Sequence, residues 1–345
     1  MPETVPREMR ALLVERYEDD LSAAISGLKV VKRPVPALLR GQVLVKMQAA
    51  PCNPSDLLLL QGRYGTLKAL PSVPGWEGAG EVIATGGGWL ARWLVGKRVA
   101  CGLQEDRDGT WAEYFVARAD ECIPLKRQLP IDQAASLIIN PLTAMGLLDT
   151  ARRDGHRAAV HTAAASQLGR MILVMAQRKD YPIVHVVRRD AQVELLESLG
   201  AEHVLNLSDD GFSEQLRTAC TRLGATAVFD AVGGEVTGTI INLMPPGSTA
   251  YVYGALSGDP CSNIDPIELI FQDKSVCGFY LGKWLQRRGI FSVMRAAGHA
   301  QRMLVDGSIE TTIQQRVSLE EAADGLRYYV DHMTEGKVLI VPWKT

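Results

Sequence analysis

The chain has 345 residues, 47% of them apolar and 22% charged, with a formal net charge of −2. That length suggests about two domains, each able to bury its own core. A near-neutral balance gives no overall field toward nucleic acid or an anionic membrane, and the longest apolar runs, such as 172–176, are too short to span a bilayer.

The elements follow in chain order. The N-terminal MPETVPREMR has neither the apolar segment of a secretory signal nor the Arg/Ser richness of a transit peptide, which points to the cytoplasm. Short runs at 11–14, 43–47, 80–84 and 98–101, broken by Pro and Gly, predict a β-rich first domain. Val43, Val45 and Met47 alternate with Gln42 and Lys46, while Leu44 breaks the pattern and implies cover on both faces. From about 131 to 283 the style changes. Strands at 158–161, 183–187, 203–205, 227–229 and 250–253 alternate with helices at 168–178, 191–200, 212–223 and 236–243. This alternation predicts a doubly wound parallel sheet. A helix at 319–329 and a buried strand at 336–342 return to the first style and are expected to pack back on the first domain. The second domain (131–283) is then an insertion between 1–130 and 284–345. The six cysteines form no C-x-x-C pair and read as buried thiols of a reduced compartment. His161 and His203, at strand ends, read as structural.

The segment HTAAASQLGR follows the first strand of the alternating region and opens a helix, the place for a dinucleotide loop. The usual three glycines appear as Ala164, Ser166 and Gly169, with Gln167 and Leu168 between them. Small residues permit close approach of backbone to a pyrophosphate, and a helix N-terminus offers free N–H groups and a positive dipole end. The competing reading is a plain small-residue turn. The next strand runs into Arg188 and Arg189, 19 and 20 residues beyond Gly169, where an NAD site would carry a carboxylate. A guanidinium fork suits a 2′-phosphate, so NADPH is the expected cofactor. Two solvated arginines are the alternative. Asp190 is read as a helix N-cap.

With these residues in view, the chain resembles the zinc-independent quinone oxidoreductase branch of the medium-chain dehydrogenases, and within it the 2-enoyl thioester (trans-2-enoyl-CoA) reductases. The likeness rests on Asn53-Pro-Ser-Asp56, Gln61-Gly-Arg-Tyr64-Gly65, Pro74-Gly-Trp-Glu-Gly78, Asn140-Pro-Leu-Thr-Ala144, Leu199-Gly-Ala-Glu-His-Val204 and Ile270-Phe-Gln-Asp273 leading to Gly278-Phe-Tyr-Leu281 and Trp284. It implies an α/β chain with a GroES-like β-barrel catalytic domain and a Rossmann cofactor domain, paired as a homodimer through a sheet edge within 251–280. Zinc members carry Cys and His where this chain has Asn53 and Trp76, and neither is a normal zinc ligand. No metal site is therefore expected.

Without a metal, hydride transfer needs an acceptor that is already electrophilic, such as an α,β-unsaturated thioester or a quinone. The resemblance implies that Tyr64 donates a proton or positions the thioester, that Asn53 contacts substrate or the nicotinamide ribose, and that Trp76 walls the pocket. It likewise places Thr143 and Phe279 beside the nicotinamide. For each, packing is the competing reading. A thioester enzyme also needs a basic entrance for CoA phosphates, for which Arg63, Lys68, Lys283, Arg287 and Arg288 are candidates. The favoured substrate is an acyl-CoA or acyl-carrier-protein enoyl thioester, with a quinone or enone second and a non-catalytic nucleotide-binding protein third.

Overall fold

The computed structural model describes residues 5–344. The chain divides into two compact units: residues up to Ile139 together with those from Gly289 onward, and Asn140–Arg288. Sequence reading places these junctions at 130/131 and 283/284. The differences have local causes. Helix Ile131–Ala135 packs on strands of the first unit. Helix Leu281–Gln286 stays with the second, where Trp284 lies against Gly146 and Arg288 pairs with Asp149.

The first unit contains β1 (Glu8–Leu13), β2 (Lys29–Pro34), β3 (Gln42–Pro51), β4 (Glu77–Thr85), β5 (Arg98–Gly102), β6 (Tyr114–Arg118) and β7 (Ile123–Pro124). In the second unit, β8 (Ala158–His161), β9 (Ile183–Val187), β10 (Val204–Asn206), β11 (Ala225–Asp230), β12 (Thr249–Val252) and β13 (Ser275–Gly278) form a six-stranded sheet in the order β10-β9-β8-β11-β12-β13. Every pairing in it is parallel. Counted from β8, this is the 3-2-1-4-5-6 order of a Rossmann sheet, with its switch point between β8 and β11. Val184 and Val186 pack with Leu216 and Ile240, while Val187 packs with Leu173 and Leu196. Alternate residues of a strand face opposite sides, so helices cover both faces of this sheet.

The chain then returns to the first unit with β14 (Ile313–Val317) and β15 (Lys337–Ile340), giving a seven-stranded sheet ordered β14-β15-β3-β4-β5-β7, with β6 on β3. The central strand β3 pairs with β4, β6 and β15, and helices Trp89–Leu94 and Ile131–Ala135 pack against it; Leu44 departs from alternation, and Val43, Leu44, Val45 and Met47 are all fully buried. Burying each such side chain contributes roughly 1.5–3 kcal/mol. The helix expected at 319–329 spans Ala322–His332. The turn before it is closed by a reciprocal pair: the Ser318 N–H donates to Glu321 Oε2 (2.9 Å), and the Glu321 N–H to Ser318 Oγ (3.2 Å). Cys261 and Cys277 are exposed, a correction to the reading of all six cysteines as buried; the other four are buried.

Candidate functional site

Each unit carries its own group of candidate residues. In the first, Asn53 precedes helix Pro54–Leu60, whose start is set by proline in the first turn and by Asp56, which accepts the Asn53 N–H at 2.8 Å through Oδ2. Asp56 Oδ1 accepts the Trp76 N–H at 3.0 Å, and the Trp76 indole donates to the Ser55 carbonyl at 3.2 Å. Trp76 is thus locked to the helix start and is 1% exposed. Half-buried Tyr64 lies against it, ring centroids 4.6 Å apart and planes tilted by 35°. Burial, reinforced by Glu105 and Asp56, pushes the Tyr64 phenol up to about 12. It stays protonated, and so able to donate, across the physiological range.

Asn53 is committed inward. Its Nδ2 donates to Glu77 Oε1 (3.1 Å), and its Oδ1 accepts from Lys337 Nζ. Glu77 Oε2 accepts the N–H groups of Ile138 (3.0 Å) and Ile139 (2.9 Å). Asn53, Glu77 and Lys337 are all at most 2% exposed. Burial pushes Glu77 up and Lys337 down, and their mutual attraction opposes both shifts. Asp56, also fully buried and near Glu77, is raised to about 7 against the pull of the Asn53 N–H, Lys337 and the Trp76 N–H. Sequence reasoning passed over Glu77 and Lys337. A signal existed for Lys337, the lone charge at the start of the otherwise apolar strand KVLI; Glu77 shares its strand with Glu81 and did not stand out.

In the second unit, Ser166 caps helix Gln167–Gln177, its Oγ accepting the Gly169 N–H at 3.1 Å. The hydroxyl hydrogen is left to donate to an anion. Ala163 adopts a positive φ of 50°, and Ala164 is fully buried. A Cβ on Gly169 would collide with the Ala164 carbonyl, so helix and loop are as close as a pyrophosphate-binding turn requires. Gln167 is 6% exposed and Leu168 partly buried. At the switch point, Thr162 Oγ1 donates to Asp230 Oδ1 (2.7 Å), and Asp230 also accepts from Thr237 (2.6 Å). These braces carried no motif in the sequence. Arg188 and Arg189 are both exposed at the end of β9. Asp190 does not cap its helix. Arg189 occupies the N-cap position, and the Asp190 carboxylate accepts from Asn206 at 2.8 Å. Thr143, nearly buried, lies one turn before Gly146, where an added Cβ would stand 2.6 Å from the Phe279 ring, so the structure brings Phe279 to the same helix.

The basic residues read as an entrance differ in exposure. Lys68 is buried, which corrects its reading as an entrance cation, and Arg288 pairs with Asp149. Arg63, Lys283 and Arg287 are exposed. Among the described residues, no group of three His, Cys, Asp or Glu side chains has the arrangement to hold a metal ion, and no helix is long and apolar enough to cross a membrane.

Comparisons with known proteins agree with this geometry. The alcohol dehydrogenase GroES-like domain family matches residues 39–127, and the zinc-binding dehydrogenase family matches residues 168–296. The mitochondrial enoyl-[acyl-carrier-protein] reductase of Bos taurus is 30% identical over 288 residues, covering 81% of this chain and 74% of that protein. A solved structure from Mesorhizobium loti, described as an NADPH:quinone reductase, is 36% identical with a TM-score of 0.90, covering 98% of this chain and 100% of that one. The complex of Etr1p with NADP and crotonyl-CoA has a TM-score of 0.80 at 21% identity over 97% of this chain and 99% of that one, a likeness of fold alone.

Proposed function

This chain belongs to the medium-chain dehydrogenase/reductase family, in its branch of enoyl reductases and quinone oxidoreductases, and on that premise we propose that it is an NADPH-dependent reductase of the C=C bond of 2-enoyl thioesters, working without zinc. The observation that carries the reading is Tyr64, a phenol held neutral by burial and seated on Trp76, where zinc members of the family carry their histidine. Asn53 stands at the other ligand position with its amide spent on Glu77 and Lys337, which makes it a positioning residue for the loop and leaves substrate contact to others.

The second unit suits a dinucleotide phosphate. The capped helix N-terminus with Ser166 and Gly169 would receive the pyrophosphate, and Arg188 with Arg189 would receive the 2′-phosphate, which a carboxylate would repel. NADPH, when bound, supplies the hydride that adds to Cβ of the enoyl group. Charge then develops on the thioester oxygen, and a proton must reach Cα. Tyr64 donates that proton, and the resulting phenolate recovers one from solvent. The chain is taken to act as a homodimer joined through β13, the exposed edge of the six-stranded sheet.

The test is NADPH oxidation against crotonyl-CoA, a longer 2-enoyl-CoA and 1,4-benzoquinone, with Tyr64→Phe in parallel. Turnover of the thioesters that falls roughly 100-fold in Tyr64→Phe supports the reading. The likeness to the Mesorhizobium loti structure favours a second reading, a quinone reductase. Turnover of the quinone alone, indifferent to the substitution, establishes that reading instead.

A further inference from the structure

A lysine in a surface loop ordinarily lays its stem on the protein and keeps its ammonium in water. Lys68 does the opposite. Its neighbours 65–67 and 69 are exposed, yet Lys68 is 3% exposed. Its Nζ donates to the Gln104 carbonyl at 2.5 Å and to the Arg107 carbonyl, and it lies 4.6 Å from the centroid of the Trp76 ring. The same ring is 4.6 Å from that of Tyr64, four residues earlier in the loop. Trp76 is immobilised by its bonds to Asp56 and Ser55. The Lys68 carbonyl in turn accepts the Tyr17 hydroxyl at 2.7 Å. Taking an ammonium out of water is costly unless it is paired and hydrogen-bonded, and here two carbonyls and an aromatic face provide the partners.

We propose that Lys68 is a positioning residue for Tyr64: its charge fastens the 64–68 segment to the 104–107 loop and to Trp76, and so fixes where the phenol stands. The inference rests on the reading of Tyr64 as proton donor. It has a signature in pH. Burial lowers Lys68 to about 8, opposed by Asp108, Asp56, Asp106 and Glu105. Two cations share its surroundings, Arg107 on the same loop and Arg33, which pairs with Asp108 at 2.8 Å. Above about 8 the neutral amine loses its attraction to the indole face and the charge-assisted strength of both carbonyl bonds.

The experiment measures kcat and KM for NADPH and crotonyl-CoA from about pH 6 to 10 in the full-length wild type, Lys68→Met, Lys68→Arg and Tyr64→Phe. The expected wild-type kcat declines above about 8. Lys68→Met lowers kcat about tenfold near neutrality, leaves KM for NADPH unchanged and lacks the alkaline decline. Lys68→Arg retains most of the activity and moves the decline to higher pH. An unchanged kcat in Lys68→Met, or the same alkaline decline without the lysine, overturns the inference. Should Lys68→Met not fold, Lys68→Arg decides: a displaced decline supports the inference and an unmoved one overturns it. A full Tyr64→Phe loss beside a wild-type-like Lys68→Met removes this inference alone, whereas an undiminished Tyr64→Phe removes both it and the reading beneath it.

Discussion

Lys337 Nζ donates to Asn53 Oδ1 across 284 residues of sequence, at a point where neither side chain meets solvent. Through the Asn53 amide the link continues to Glu77 and to the N–H groups of Ile138 and Ile139, so β15, the Asn53 loop and β4 are tied at one buried place. Lys337→Met leaves the Glu77 carboxylate without its cation. Breaking a buried charge network from one side costs about 3 kcal/mol, which a urea titration would read as a lower midpoint. An unchanged midpoint would show that Glu77 is carried in its neutral form.

Asp56 makes stability depend on pH in a definite direction. Its folded value is about 7, above the ordinary 3.8. Between those values the folded chain holds a proton that the unfolded chain has released, so this group's contribution is complete below the unfolded value and is lost as pH rises toward about 7. Asp56→Asn cannot titrate. Its urea midpoint should be lower in absolute terms, because the two carboxyl oxygens accept the Asn53 and Trp76 N–H groups and an amide offers only one acceptor oxygen, yet fall less than wild type from about pH 5 to 8. Parallel slopes in the two proteins would contradict the raised value.

Arg188 should decide between the two nicotinamide dinucleotides. Arg188→Ala is expected to weaken NADPH binding about 10- to 100-fold, the worth of a charge-assisted contact, and to leave NADH binding nearly unchanged. Fluorescence titration of both cofactors checks this. Equal weakening of both would place Arg188 outside the 2′-phosphate site.

Cys277 reports on the edge strand. It is exposed on β13, in register with Tyr251 of β12. If two copies join along β13, mild oxidation of a Cys261→Ser chain should give a covalent dimer on a non-reducing gel that Cys277→Ser abolishes. A mass of one chain by light scattering at micromolar concentration would be falsifying evidence against the dimer.

Much of the second unit could be read from the chain because its signals are local. Residues 158–161, 183–187 and 212–223 match their elements to the residue, since buried parallel strands are short apolar runs and an amphipathic helix repeats every few positions. The cap at Ser166 and the small residue at Gly169 are likewise local demands. The Asp190 cap was misplaced by one position because a terminal carboxylate can serve either its helix or a neighbouring strand, and Asn206 took it.

By itself, then, the sequence determined the alternation that makes a Rossmann sheet, the small-residue turn, the two arginines and the motifs that mark the family. Only the tertiary structure decided what the charged side chains of the first unit do. Asn53 turned inward to Glu77 and Lys337, and Lys68 left the surface for the carbonyls of residues 104 and 107. The physical reason is that periodicity records which face of an element is buried, whereas the partner of a buried charge is chosen by segments that meet only after the chain has folded.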